Sequence, residues 1–129
     1  MAPVAGGDGF SDAQRASIDR AIRDAEIVCR FEFSVYVGRV EGEPRPFAQR
    51  LHSALVAPDR SVLIAVDPAA RVVEVVTGTQ VRRVLDDRQV TLALAEMQSQ
   101  FAVGDLCGGI VRGINLLAGN ARKPRTLHG

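Results

Sequence analysis

The chain has 129 residues, 47% of them apolar and 24% charged, with a formal net charge of +1. That length is one domain with enough residues to bury its own core, and so balanced a charge lacks the basic excess that a nucleic-acid binder sets against phosphate. No apolar run approaches the roughly 20 residues of a membrane helix, and the opening MAPVAGGDGF lacks the charged-then-apolar order of a signal peptide, so a cytoplasmic protein without a transmembrane segment is expected.

Residues 1–9 are rich in Gly, Ala and Pro and are expected to be disordered. Ser11 followed by Gln14 has the spacing of a capping box, and Ile18, Ile22, Ala25 and Cys29 recur at helical intervals, which predicts a first helix over 11–29. Phe31, Phe33, Val35 and Val37 alternate with Glu32, Ser34 and Tyr36, the period of a strand with one buried face, and Gly38 ends it. Pro44 and Pro46 are tolerated at a helix start, and Phe47, Leu51, Ala54 and Leu55 supply the inward stripe of a short second helix. Val62 to Val66 is continuously apolar, as in a central strand covered on both faces. The turn Asp67-Pro68-Ala69-Ala70 returns the chain into Val72 to Val76, forming a hairpin.

Past Gly78 the pattern is helical. Val81, Val84 and Leu85 fit a short helix, Val90 to Phe101 a longer one, and Ile110, Ile114 and Leu117 a last one ending near Gly119. Gly104 and Asp105 read as the stop of one helix and the N-cap of the next. Gly109 and Gly113 lie four apart inside the last helix, where each costs roughly 1 kcal/mol against alanine, so close contact with a neighbouring backbone is expected there. The order α-β-α-β-β-α-α-α predicts an α/β fold: a small mixed sheet, its first two strands parallel and its third antiparallel to the second, with helices packed on its faces. A single domain over 10–119 with a basic flexible tail over 120–129 follows.

Chemistry is sparse. There is no nucleophile elbow, phosphate loop, zinc spacing or dinucleotide fingerprint, and no cofactor is expected. Cys29 and Cys107 sit at apolar helical positions as buried free thiols. His52, beside the stripe of the second helix, and His128 in the tail read as surface or half-packed residues. Asp67, Asp86, Asp87 and Asp105 all lie at element boundaries, where oxygen ligands hold cations. However, Asp67 ends the second strand and Asp86 and Asp87 follow the oppositely directed third, which places them at opposite edges of the sheet; only Asp105 is carried back toward Asp67 by the long helix. Arg82, Arg83, Asp86, Asp87 and Arg88 form a dense charged run, either a solvated face or a docking surface. Residues 1–118 carry 13 basic and 15 acidic side chains, whereas the last eleven hold Arg122, Lys123 and Arg125 with no acid. That tail can approach an acidic protein face or an anionic membrane.

Two stretches carry a family resemblance. SVLIAVDPAARVVEVVTG is similar to the strand-turn-strand of the TPM domain, a family of small α/β modules named after thylakoid-lumen and related proteins. QSQFAVGDLCGGIVRGINLL resembles that family's entry into its last helix, at Phe101, Gly104, Asp105, Leu106, Gly109 and Ile110. The resemblance runs over Ser61–Ala118 and, with the first helix and the FSVYVG strand, covers most of the folded chain. It implies the α/β fold above, and it implies association with membrane electron-transfer complexes, acid phosphatase activity or divalent cation binding. The family's usual Gly-Tyr-Gly-Leu-Glu after the third strand reads Gly78, Thr79, Gln80, Val81, Arg82 here. With a base in place of the acid, phosphatase chemistry and cation binding are both weakened.

The expectation is therefore a non-catalytic accessory domain with a protein partner. It docks from the cytoplasmic side on a membrane-associated respiratory complex of the cytochrome c oxidase type and does not bind nucleic acid. The partner-binding candidates are Arg82, Arg83, Asp86, Asp87, Arg88, Arg122, Lys123 and Arg125. The alternative is a weak metal-dependent phosphatase using Asp67 and Asp105 around a divalent ion.

Overall fold

A computed structural model of the chain describes residues 9–122; the tail candidates Lys123 and Arg125, His128 and most of the expected N-terminal segment lie outside them. The first helix, α1, spans Asp12–Cys29, and the Ser11/Gln14 capping box is formed in both directions. Arg30 ends it in the left-handed region at φ 67°. Strand β1 follows at Glu32–Val37 and helix α2 at Pro44–Ser53, with its prolines in the first turn. A 3-10 turn at Pro58–Arg60 leads into β2, Ser61–Asp67, every residue of which is buried.

After the turn, β3 runs Val72–Thr77. The short helix expected at Val81 to Leu85 is a three-residue 3-10 turn, Val81–Arg83. Two helices of equal length are the last described elements, α3 at Asp87–Ala102 and α4 at Leu106–Ala121. The last helix runs past the end expected near Gly119 because its stripe continues into Ala121, which is fully buried.

The sheet has three strands in the order β1-β2-β3. As predicted, β1 and β2 are parallel and β2 and β3 antiparallel. Side-chain alternation divides β2 between two cores. Val62, Ile64 and Val66 join Phe33, Val35, Val37 and Val75 under α1, α3 and α4. Leu63 and Ala65 join Val76 and Ala48 on the opposite face, which α2 covers with Leu51 and Leu55 while Tyr36 packs against the same cluster. The molecule is thus a helix, a sheet and a three-helix layer.

Three glycines set close approaches. A Cβ on Gly78 would lie 2.1 Å from the Pro58 carbonyl oxygen, so the end of β3 presses its backbone on the first 3-10 turn. A Cβ on Gly109 would meet the Phe101 ring at 2.4 Å, and one on Gly113 the Met97 sulfur at 2.3 Å. The two helix glycines make the close approach expected of them, but to side chains of the neighbouring helix rather than to its backbone, and the contacts show α3 and α4 packed antiparallel against each other.

Candidate functional site

Asp67 is the focus of the sheet's far edge. It is the last residue of β2 and is 5% exposed. Its carboxylate satisfies the loops on either side: Oδ2 accepts the Val40 N–H at 2.9 Å, from the β1–α2 connection, and Oδ1 accepts the Ala70 N–H at 3.2 Å, from the hairpin turn. Those donors, Val40 foremost, hold the carboxyl below its ordinary value, with help from the Arg39 charge. Two depressions meet at Asp67 and Pro68. One, of about 630 Å³, is lined by residues 37–40 and 67–70. The other, of about 430 Å³, lies between the hairpin turn and the α3–α4 corner and is lined by Arg71, Val73, Gln98, Phe101 and Leu106 among others.

The α3–α4 corner brings Gly104 and Leu106, on either side of Asp105, to the second depression beside Asp67. Asp105 is used differently from Asp67: its Oδ1 accepts the Gly108 N–H at 2.8 Å as the N-cap of α4. Among the described residues, no three His, Cys, Asp or Glu side chains gather where they could share a metal ion. His52 corrects its expected half-packed state. It is 8% exposed, and its Nε2 lies 3.0 Å from the Ser61 carbonyl at the start of β2. Cys29 is buried and Cys107 only half-buried, and both are free. Burial pushes both thiols up, and the Asp105 charge adds to the effect at Cys107.

The charged run lies at the opposite edge, where β3 ends. The Arg82 guanidinium donates to the Thr77 carbonyl. Asp86 caps α3 through a second capping box, its Oδ1 accepting the Gln89 N–H at 2.9 Å, and Asp87 follows in the first turn. The carboxylates at a helix start also oppose the positive end of its dipole. Arg83 and Arg88 are exposed, and no described residue engages their side chains. The register of Phe101 on Gly109 and Met97 on Gly113 brings Arg122, just past the end of α4, level with Arg88 at the start of α3. Two candidate groups that are far apart in sequence therefore share one end of the molecule.

Several working residues escaped sequence reasoning. Arg45 bonds the Val75 carbonyl at 2.6 Å and Glu74 at 3.2 Å, and Glu26 accepts the Phe33 N–H at 3.0 Å. Arg71 closes the hairpin turn at φ 56°. Its only sequence signal is its place as the single residue between the turn and β3.

Comparisons with known proteins agree on the fold and are silent on chemistry. The chain is 29% identical over 109 residues to an uncharacterised protein of Mycobacterium tuberculosis, matched in two strains. The match covers 84% of this chain, which spans 65% of the length of those curated relatives. The NMR structure of the BA42 protein of Bizionia argentinensis superposes with a TM-score of 0.80 at 21% identity, covering 91% of this chain and 84% of that one. The N-terminal domain of the cg2496 protein of Corynebacterium glutamicum gives 0.79 at 17% identity, covering 94% and 80%. At such identities these structures establish the fold alone. No helix among the described residues is long and apolar enough to cross a membrane. The expected membership of the TPM family is overturned, because the family model that matches residues 4–118 is a different one. The chain belongs to the family described as Domain of unknown function (DUF5130).

Proposed function

We propose that this chain is a non-catalytic binding domain that docks on a larger protein assembly through the arginine-rich end of the α3–α4 pair. The observation that carries the reading is the convergence of Arg83 and Arg88 with Arg122 at one end, their guanidinium groups unclaimed by any described residue. Lys123 and Arg125 follow directly in sequence with no acid among them. Asp86 and Asp87 lie at the same end, but the Asp86 carboxylate is engaged as a cap. A guanidinium presents a planar fork that suits carboxylates, so the fitting partner surface is acidic. Exposed ion pairs contribute roughly 0–1 kcal/mol each, so several must act together, and their main effect falls on association rate and salt dependence.

Asp67 and Asp105 support the non-catalytic half of the reading, since each is engaged in satisfying backbone N–H groups. The narrower expectations, a cytochrome oxidase-type complex and a metal-dependent phosphatase, drew their support from the TPM resemblance and lose it with that correction. The test is affinity purification of the full chain from gently solubilised cells, beside the variant Arg83→Glu/Arg88→Glu/Arg122→Glu. The expected result is one defined complex that accompanies the wild type, dissociates as salt rises and is missing from the variant, while circular dichroism shows both folded. A complex retained by the folded variant, or a wild type that travels as a monomer, would overturn the reading.

A further inference from the structure

β3 lies at one edge of the sheet, and its outward-facing groups belong to alternate residues. Gly78 donates inward to the Ser61 carbonyl, so Thr77, Val75 and Val73 face outward. Edge strands attract further strands unless something blocks them. Here the Arg82 guanidinium covers the Thr77 carbonyl and the Arg45 guanidinium covers that of Val75. Val73 has no such guard, and no described residue bonds its outward N–H or C=O. Val73 is also the part of the edge that lines the 430 Å³ depression.

That depression has an apolar floor of Val66, Val72, Val73, Phe101 and Leu106, with Gln98 and Arg71 at its rim. Arg71 holds a left-handed conformation that favours glycine, yet a long cationic side chain stands there. No described residue engages its guanidinium. The one buried carboxylate beside it, Asp67, is turned to the Val40 and Ala70 N–H groups. Among the described residues, a cation without a partner thus borders an apolar groove next to the one outward residue of β3 whose carbonyl no guanidinium covers.

We infer that this groove receives a short extended segment of a partner protein, added to the β3 edge at Val73, with an apolar side chain over Phe101 and Leu106 and, two residues away on the same face, an acidic side chain on Arg71. Main-chain bonding to an edge supplies affinity in such additions, and the flanking pockets supply selectivity. The segment is short because Arg45 stands over the next outward residue, about 7 Å further along the strand. The groove lies at the start of β3 and the arginine-rich end beyond its last residue, so the two surfaces can be tested separately.

The test is a titration of the full-length, isotope-labelled chain by NMR with three end-capped peptides: acetyl-Glu-Ser-Leu-Ser-Gly-amide, its Glu-to-Gln counterpart and its Leu-to-Ser counterpart. The expected result is saturable shifts at the Arg71, Val73, Gln98 and Gly104 amides. The Glu peptide should bind about two- to fivefold tighter than the Gln peptide, as one exposed ion pair allows, and the Ser counterpart should not saturate. Arg71→Gly removes the guanidinium while suiting the left-handed backbone, so the variant should stay folded and bind the Glu and Gln peptides equally. Absence of saturable shifts at those amides, a Glu preference that survives in Arg71→Gly, or the same shifts produced by acetate alone would overturn the inference.

Discussion

Asp67 joins three segments through one carboxylate, and its protonation should therefore be felt in stability. Its folded-state value lies below the ordinary 3.8, with the Val40 N–H as the first cause. A carboxyl lowered by folding adds stability that is complete above about pH 4 and is lost as pH falls through the folded value. Asp67→Asn offers only one accepting oxygen and turns an amide donor on one of the two N–H groups. It should cost ~1–3 kcal/mol at neutral pH, the range for a buried donor left unpaired. Thermal melts of both proteins from pH 7 downward should show the gap closing below about pH 4; a gap constant with pH would contradict the assigned role. Gly78 makes a second residue-scale case. An alanine methyl there would overlap the Pro58 and Asp59 backbone, which cannot move aside as a side chain can. Gly78→Ala should lose ~1–3 kcal/mol or more, read as a lower denaturation midpoint, and an unchanged midpoint would show that the close approach is not required.

The α3–α4 pair shows what pattern alone conveys at the scale of elements. Gly113→Ala gains about 1 kcal/mol of helix propensity, but its methyl meets the fully buried Met97 sulfur. Overpacking of that kind costs ~1–3 kcal/mol, so the variant should be destabilised overall. Combining it with Met97→Ala should cost less than the sum of the two single changes. Gly119→Ala faces open space in the same helix and should stabilise by up to about 1 kcal/mol. Chemical denaturation of the four variants checks the ordering, and additive effects at Gly113 and Met97 would mean that the helices do not touch there. The sequence already carried this expectation, because two glycines four apart in an apolar helix signal close packing without naming the neighbour. Strands, helices, pairing senses and the caps at Ser11 and Asp105 were legible for the same reason, since each depends on residues a few positions apart. Asp86 and Gln89 have capping-box spacing too, but a dense run of charges hid it. The candidate sites were far less legible. His52 meets Ser61, Asp67 meets Val40, 27 residues earlier, and Arg45 meets Val75, 30 residues later. Periodicity cannot report such pairings, because they exist only once the layers have stacked.

At the scale of the whole molecule, the two cores are unequal. The larger takes side chains from all three strands and from α1, α3 and α4, whereas the smaller rests on a ten-residue helix over Leu63, Ala65 and Val76. A helix that short is marginal by itself, so α2 depends on its anchorage. Peeling it away would expose Leu63 and Val76, each contributing roughly 1.5–3 kcal/mol by burial. It would also break the Arg45 bond to the Val75 carbonyl and the His52 contact with the Ser61 carbonyl. Those contacts tie α2 to the sheet, and β2 belongs to both cores, so unfolding should be a single cooperative transition. Tyr36 is the only tyrosine, the chain has no tryptophan, and the ring sits 5.6 Å from Phe47 of α2. Its fluorescence therefore reports the small core, while far-ultraviolet circular dichroism reports mainly the long helices. In a urea titration the two signals should coincide for the wild type. For Arg45→Ala/His52→Ala the fluorescence transition should come first, because the anchors are gone while the larger core is intact. An early fluorescence transition in the wild type would show instead that α2 melts as a separate unit, and that the sheet does not bind the two cores into one cooperative fold.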